Sequence, residues 1–184
     1  MKIKILMISF LTLVSCSSKP SEDIAPQTKA KEAKEKIIAL AGARVGFSAP
    51  NFSLKSTEQK KFSLSNFKEK VVLLDFWATW CPPCRFSTPA LVRINKKFKD
   101  QGLAVIGISL DEEPEPVPPF LKKEKVEHLI LYAEDSSVAQ DYQVRAIPSF
   151  FLIDKNGMIK KRYDGFYPDL EKEWEKEIPN LLSK

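Results

Sequence analysis

The feature that most constrains this chain is a continuous apolar run that leads directly into two closely spaced cysteines. Residues 71–76 (VVLLDF) predict a strand covered on both faces of a sheet. A helical pattern extends from about Cys81 to Lys99, and residues 103–110 (LAVIGISL) predict a second buried strand. A strand, a helix and a strand within about 40 residues predict a βαβ unit with parallel strands.

The two cysteines have the spacing of a redox pair. One helical turn brings Cys81 and Cys84 close enough for a disulfide, and we expect the strand-to-helix turn to leave Cys81 at the exposed end. The partial positive charge of the helix N-terminus favours a thiolate there. Thiols in such positions have pKa values of about 3.5–7.5 instead of about 8.5, so one of them is ready to attack at neutral pH.

Three other uses of this cysteine pair must be weighed. A zinc site needs two more ligands, and only Cys16 and the lone His128 remain. Attachment of c-type haem needs a histidine after the second cysteine, where this chain has Arg85. An inert structural disulfide stays open, because exported proteins do form such bonds.

Three separated motifs resemble the thioredoxin superfamily. Residues 75–84 (DFWATWCPPC) are similar to its active-site segment, Pro89 to the proline in its active-site helix, and residues 146–151 (AIPSFF) to its cis-proline segment. Further segments are similar to the membrane-anchored TlpA/ResA-like thioredoxins, namely residues 49–54, 64–68 and 150–157. The resemblance covers about Gly46 to Gly165. It implies an α/β thioredoxin-like fold, with a mixed central sheet, helices on both faces and an extra N-terminal β-hairpin.

The resemblance also implies roles for particular residues. Cys81 is the nucleophile that forms a mixed disulfide with the substrate, and Cys84 resolves it. Pro148, if cis as in the family, lies against the cysteines and presents backbone to a substrate strand. Trp80 packs beside the disulfide. The residues expected to bind substrate are Trp80, Pro82, Pro83, Ile147 and Pro148.

One position departs from the subfamily pattern. Several members carry an acidic residue three positions after the second cysteine, where this chain has Ser87. A carboxylate buried in the preceding apolar strand has a raised pKa and can exchange protons near neutral pH. We therefore expect Asp75 to supply the acid–base function that Ser87 cannot. The alternative is a partly solvated aspartate at the end of the strand.

The remaining pattern predicts short elements around this centre. Residues 52–54 and 62–64 suggest an antiparallel hairpin. Residues 111–119 (DEEPEPVPP) predict a solvated acidic loop leading into a short helix near 120–125, because prolines inside a helix break it. The other expected elements are a strand at 129–132, a short helix at 138–142, two strands at 149–153 and 158–163 around an Asn-Gly turn, and a closing helix at 169–182.

The N-terminal segment has the composition of an export signal. Two lysines precede a short apolar core, and residues 13–16 (LVSC) resemble the bacterial lipobox, in which the cysteine carries the lipid. We therefore expect a signal peptide at 1–15, a lipidated Cys16 followed by a tether to residue 44, and a catalytic domain at 45–184. This places the protein outside the cytoplasm, anchored to a bacterial membrane that faces the periplasm or the exterior.

Composition and charge narrow the function. The net charge of +5 comes from 29 basic and 24 acidic residues that are scattered along the chain, which does not favour nucleic-acid binding. Pro82 and Pro83 have no N–H to stabilise a thiolate, which favours the reducing direction. We expect an oxidoreductase that needs no cofactor beyond its dithiol. Its expected substrates are protein thiols and disulfides, for example in cytochrome c maturation. A membrane electron donor is expected to reduce the dithiol again after each reaction.

The sequence is also compatible with two other functions. The first is a thiol peroxidase, because peroxiredoxins share the fold, although Ala78 stands where they have threonine before the reactive cysteine. The second is a non-catalytic binding or chaperone module on the same fold. Loss of a cysteine would favour that module, but both cysteines are present.

Overall fold

The described part of the chain, residues 43–134 and 136–184 of a computed structural model, forms one seven-stranded sheet. The strand order is β2-β1-β5-β4-β3-β6-β7. The strands are β1 Ser53–Ser56, β2 Lys61–Ser63, β3 Val71–Trp77, β4 Leu103–Ser109, β5 Leu129–Tyr132, β6 Ser149–Ile153 and β7 Ile159–Asp164. The α-helices of these residues are α1 Pro82–Phe98, α2 Val117–Glu124, α3 Val138–Asp141 and α4 Leu170–Leu182.

Parallel and antiparallel pairs are mixed in this sheet. β3 pairs parallel with β4, and β4 pairs parallel with β5. β6 lies antiparallel to β3, β7 antiparallel to β6, and the β1–β2 hairpin joins β5 in antiparallel register. The mixed thioredoxin-like sheet with its N-terminal hairpin is therefore confirmed. So is the βαβ unit formed by β3, α1 and β4.

The central strand β3 is buried along its whole length because helices cover both faces of the sheet. Val71 and Leu73 point to one face, where they pack with the apolar sides of α1 and α4. Val72 and Leu74 point to the other face and pack with α3 and a short 3-10 helix at Leu64–Phe67. Burial on both faces explains why the run lacks the polar alternation of an exposed strand.

The start of α2 corrects one expectation. The helix begins at Val117, inside the segment predicted as loop, and Pro118 and Pro119 lie in its first turn. The first N–H groups of a helix have no partner within it, so proline costs little at those positions. Proline breaks a helix when it stands in the interior, whereas these two prolines stand in the first turn.

The N-terminal end of the described region runs along the sheet edge. Ala43 is buried in the core, and the Gly46 N–H donates to the Ile159 carbonyl of β7. None of the helices within 43–134 and 136–184 has the length and apolarity needed to cross a bilayer. The predicted signal peptide, Cys16 and nearly all of the predicted tether lie outside the described residues.

Candidate active site

The two cysteines lie where β3 ends and α1 begins. Cys81 is the N-cap residue of α1, and its Sγ atom is bonded to the Sγ atom of Cys84. The Cα atoms are 5.3 Å apart, and the Cys84 N–H donates to the Cys81 sulfur over 3.2 Å. Because α1 starts immediately after Cys81, the helix N-terminus lies at that sulfur, where it stabilises negative charge.

Both cysteines are more buried than the sequence suggested. Cys81 is 3% exposed and Cys84 is 1% exposed, so the expected exposed end at Cys81 is wrong for the disulfide form. The cause is the loop before β6, in which Ile147 packs against the cysteine cluster and its carbonyl oxygen lies 3.7 Å from the Cys81 sulfur. The Ile147–Pro148 peptide bond is cis, as expected.

An exposed rim surrounds this buried disulfide. Trp80 is 64% exposed and Phe86, one turn into α1, is 75% exposed. Pro82 and Pro83 form the first turn of α1 and are also exposed. Trp80 is therefore largely open to solvent, and its packing beside the disulfide stays a prediction. Phe86 was not predicted as a site residue, although its position two residues after Cys84 was a usable signal.

A buried carboxylate holds the turn that precedes Cys81. Asp111 accepts hydrogen bonds from the Thr79 N–H at 3.0 and 3.1 Å, from the Thr79 hydroxyl, and from the Ser109 hydroxyl at 2.7 Å. The Arg85 guanidinium donates to the Thr79 carbonyl over 3.1 Å. These bonds fix the backbone from which Cys81 projects.

The prediction of a solvated acidic loop is wrong for Asp111, because this residue is buried. The signal was its position two residues after the end of β4. The carboxyl ends of β3 and β4 meet at one edge of the sheet, so a polar residue after β4 can reach the turn after β3.

Asp75 is buried in the middle of β3. It is 4% exposed and lies opposite Gly107 on β4 and Phe150 on β6. Its Oδ1 atom is buried and has no hydrogen-bond partner among the described residues, and burial raises the pKa of this carboxyl well above its usual range. The alternative of a partly solvated strand-end aspartate is therefore wrong.

Hydroxyl groups of α1 bind the backbone of the second cysteine. Ser87 and Thr88 are buried, and each donates a hydrogen bond of 2.9 Å to the Cys84 carbonyl. The side chain at position 87 is therefore committed to the helix backbone.

His128 is a second buried titratable group close to this region. The residue is partly exposed, but its Nδ1 atom is buried and finds no hydrogen-bond partner in the part of the chain that the structure describes. Burial lowers the pKa of His128 to about 4. Within residues 43–134 and 136–184, no group of three or more metal-ligating side chains comes together.

A disulfide between cysteines that are separated by two residues, at the N-terminus of the helix that follows the central strand of a thioredoxin-like sheet, defines the thiol–disulfide oxidoreductases of the thioredoxin superfamily. Residues 44–178 match the model of the Redoxin family, and the chain belongs to that family. Its relatives place it among the TlpA/ResA-like members, and it is a thiol–disulfide oxidoreductase.

Two relatives carry the name thiol-disulfide oxidoreductase ResA. The protein from Bacillus subtilis is 36% identical over 120 residues, which are 65% of this chain and 67% of that protein. The protein from Bacillus thuringiensis subsp. konkukian is 34% identical over 121 residues, which are 66% of this chain and 70% of that protein.

Solved structures agree with the fold and the activity class. A Chlorobium tepidum protein described as a thiol:disulfide interchange protein, DsbE, superposes with a TM-score of 0.72 at 32% identity and covers 76% of this chain and 98% of its own. The thioredoxin domain of a thiol-disulfide oxidoreductase from Bacteroides vulgatus has a TM-score of 0.68 at 28% identity, with 73% and 98% covered. Protein thiols are therefore the substrate class of this chain.

Proposed function

We propose that this protein reduces disulfide bonds of client proteins outside the cytoplasmic membrane, with Cys81 as the attacking sulfur. The supporting observation is the position of the disulfide, with the Cys81 sulfur at the N-terminus of α1 and under the Ile147 carbonyl. Attack on this disulfide, or by the reduced Cys81, occurs at the end of the sheet where the cis-proline loop meets the helix.

The reaction transfers two electrons and two protons from the dithiol to the client. The Cys81 thiolate attacks a client disulfide, which forms a Cys81–client bond and releases one client sulfur as a thiolate that takes a proton. Cys84 then loses its proton and attacks the Cys81 sulfur. This step forms the Cys81–Cys84 disulfide and releases the second client thiol. No cofactor beyond the cysteine pair is needed.

Asp75 is the proposed base for the resolving step. Its side chain borders a small cavity together with Trp77, Ile130 and Thr88. Trp77 and Ile130 pack in the same cluster as Cys84, and Thr88 hydrogen-bonds the Cys84 carbonyl. Because burial raises the pKa of Asp75, its ionised form is a stronger base than an ordinary carboxylate and can accept the proton of the resolving cysteine.

The rim residues are the proposed client-binding surface. Trp80, Pro82 and Pro83 offer exposed apolar area beside the disulfide, while Ile147 and Pro148 offer backbone from the facing loop. An extended client segment can lie between these two sides, with its own disulfide presented to Cys81.

The reducing direction is supported by the few donors at the Cys81 sulfur. Pro82 and Pro83 have no N–H, so the Cys84 N–H is the backbone donor of this turn that contacts the sulfur. A less stabilised thiolate makes the dithiol a better reductant. In an equilibrium with glutathione we expect a potential well below the value of about −120 mV that marks strong oxidants.

The sequence of the N-terminal segment supports attachment of the protein to a membrane surface. We propose cleavage of the signal peptide 1–15, lipidation of Cys16, and a tether 16–44 that carries the domain 45–184 on the periplasmic or outer side. Reduced Cys81 must be regenerated there by a membrane electron donor, and apocytochrome c is a fitting client. Incorporation of radiolabelled palmitate into the wild type but not into Cys16→Ser tests the anchor.

Trapping the client tests the proposed reaction. In the full-length Cys84→Ser variant the resolving thiol is missing, so a client protein should remain bonded to Cys81 and be released by dithiothreitol. Cys81→Ser is the matched control and should trap nothing. Turnover of peroxide by the wild type, without reduction of insulin disulfides, would instead support a thiol peroxidase and overturn the proposal.

A further inference from the structure

A small, partly open cavity lies against the central strand on the α1 side of the sheet. Its volume is about 10 Å³, enough for one water molecule. Asp75 and Trp77 of β3 line it, and His128 lines it from the segment before β5. The remaining walls are Thr88, Leu91, Phe120, Leu121, Val126 and Ile130.

Three of the residues that line this cavity carry a buried polar atom without a partner. Asp75 Oδ1, Trp77 Nε1 and His128 Nδ1 are all buried and make no hydrogen bond within the described residues. More than about 90% of buried polar groups in proteins are partnered, by protein atoms or by ordered water. Three unpartnered atoms on the lining residues of one cavity therefore point to a common partner inside it.

We propose that the cavity binds one water molecule, which accepts a hydrogen bond from Trp77 Nε1–H, donates to Asp75 Oδ1 and His128 Nδ1, and thereby stabilises the ionised form of Asp75. Buried waters make about three hydrogen bonds, which matches the three atoms. In this arrangement Trp77 and His128 are positioning residues for the proton acceptor. The inference rests on the proposed role of Asp75 as the base that serves Cys84.

The glycine opposite Asp75 makes room for this arrangement. A Cβ atom at Gly107 would lie 2.6 Å from Ile130 Cδ1 and 2.9 Å from Trp77 Nε1. Any side chain at 107 would therefore displace the Trp77 ring, which otherwise lies over the β4 backbone.

The protonation states suit such a water. Burial lowers the pKa of His128 to about 4, so its imidazole is neutral at neutral pH and Nδ1 can accept a hydrogen bond. Among the described residues that line the cavity, from β3, α1, α2 and the β5 side, Asp75 and His128 are the titratable ones. Asp75 Oδ1 accepts a hydrogen bond from water whether or not the other oxygen carries a proton.

The test is a titration of Asp75 in the oxidised protein, where no turnover occurs. Carbon-13 NMR of the Asp75 carboxyl is followed against pH in the wild type and in His128→Leu, which removes the acceptor and fills the space. Loss of a hydrogen bond to a charged group should raise the Asp75 pKa by about one unit or more. Trp77→Phe, which keeps the ring but not the donor, should shift it in the same direction.

Two controls separate the water from a general packing effect. His128→Asn keeps a polar atom near the position of Nδ1 and should restore a titration close to the wild type. Glu127→Gln changes the exposed neighbouring residue and should leave Asp75 unchanged. If His128→Leu does not fold, Trp77→Phe carries the test.

An Asp75 titration that is the same in the wild type, His128→Leu and Trp77→Phe would overturn the bound water. The proposed function is tested separately. It would be contradicted by a Cys84→Ser variant that traps no client protein. If the bound water is present, the rate of disulfide reduction should begin to rise at a higher pH in His128→Leu than in the wild type. The size of this shift should equal the shift of the Asp75 pKa.

Discussion

In the wild type, we expect the free energy of unfolding to fall as pH rises because Asp75 is buried. Replacing Asp75 by asparagine should remove this dependence on pH. Burial raises the pKa of Asp75 in the folded protein above its ordinary value of 3.8. Between these two pKa values the unfolded chain has released the proton while the folded protein still holds it. The free energy of unfolding therefore falls as pH rises, by about 1.4 kcal/mol per pH unit for one proton.

His128 contributes a slope of the opposite sign at lower pH. Its pKa is lowered from 6.5 to about 4, so between these values the unfolded chain binds a proton that the folded protein does not. Stability from this residue rises with pH until 6.5 and is then constant. Because the wild type and Asp75→Asn both contain His128, this contribution is common to the two proteins, and the difference between them isolates Asp75.

Urea unfolding of the oxidised wild type and Asp75→Asn, at half-unit steps from about pH 5 to 9, measures the effect. The stability of the variant relative to the wild type should increase with pH at about 1.4 kcal/mol per unit until Asp75 ionises, and then level off. Asp75→Leu also removes the ionisable group but has a side chain of a different shape. Its stability relative to the wild type should increase with pH at the same slope. A difference that is constant with pH in both variants would refute the buried, protonated carboxyl.

Other substitutions test the supports of the site. Asp111→Ala leaves the donors of the turn before the cysteines unpaired and should lower the free energy of unfolding by about 3 kcal/mol or more, measured in urea; wild-type stability would contradict this. Gly107→Ala forces a Cβ against Trp77 and should cost about 1–3 kcal/mol, checked by thermal unfolding. Pro83→Ala adds an N–H at the second helical position, where it can reach the N-cap sulfur, and should raise the redox potential by about 30–60 mV. Pro82→Ala adds an N–H that does not point at the sulfur and is the control; equal shifts in both variants would contradict the argument.

Local pattern was enough to predict the centre of the fold. The apolar run of β3, the helix that follows it and the cysteine spacing are encoded within about thirty consecutive residues, where burial and periodicity are directly visible. The Asn-Gly turn between β6 and β7 was predicted for the same reason, and Gly157 adopts the positive φ of 78° that such a turn needs.

Contacts between distant segments could not be predicted in this way. Asp111 looked like one residue of a solvated acidic loop, and its role follows from Thr79, which lies 32 residues earlier in the chain. His128 looked isolated, and its meaning follows from the cavity that it shares with Asp75. Both depend on strand order and register, which a periodic pattern does not specify.

Burial at the active site was misjudged for a related reason. A helix N-cap after a strand is usually open to solvent, so Cys81 was expected at an exposed end. The loop that carries Ile147 comes from 66 residues further along and reaches the Cys81 sulfur. The family resemblance pointed to this loop, but its effect on accessibility required the tertiary structure.

The redox equilibrium of the Cys81–Cys84 pair with glutathione tests the central claim most directly. The fraction of dithiol is counted by mass spectrometry after alkylation, across a series of glutathione ratios. Our account predicts a two-electron transition in which both thiols appear together, at a potential well below about −120 mV. A pair that stays bonded under every ratio and under dithiothreitol, or that titrates near that oxidising value, would contradict it.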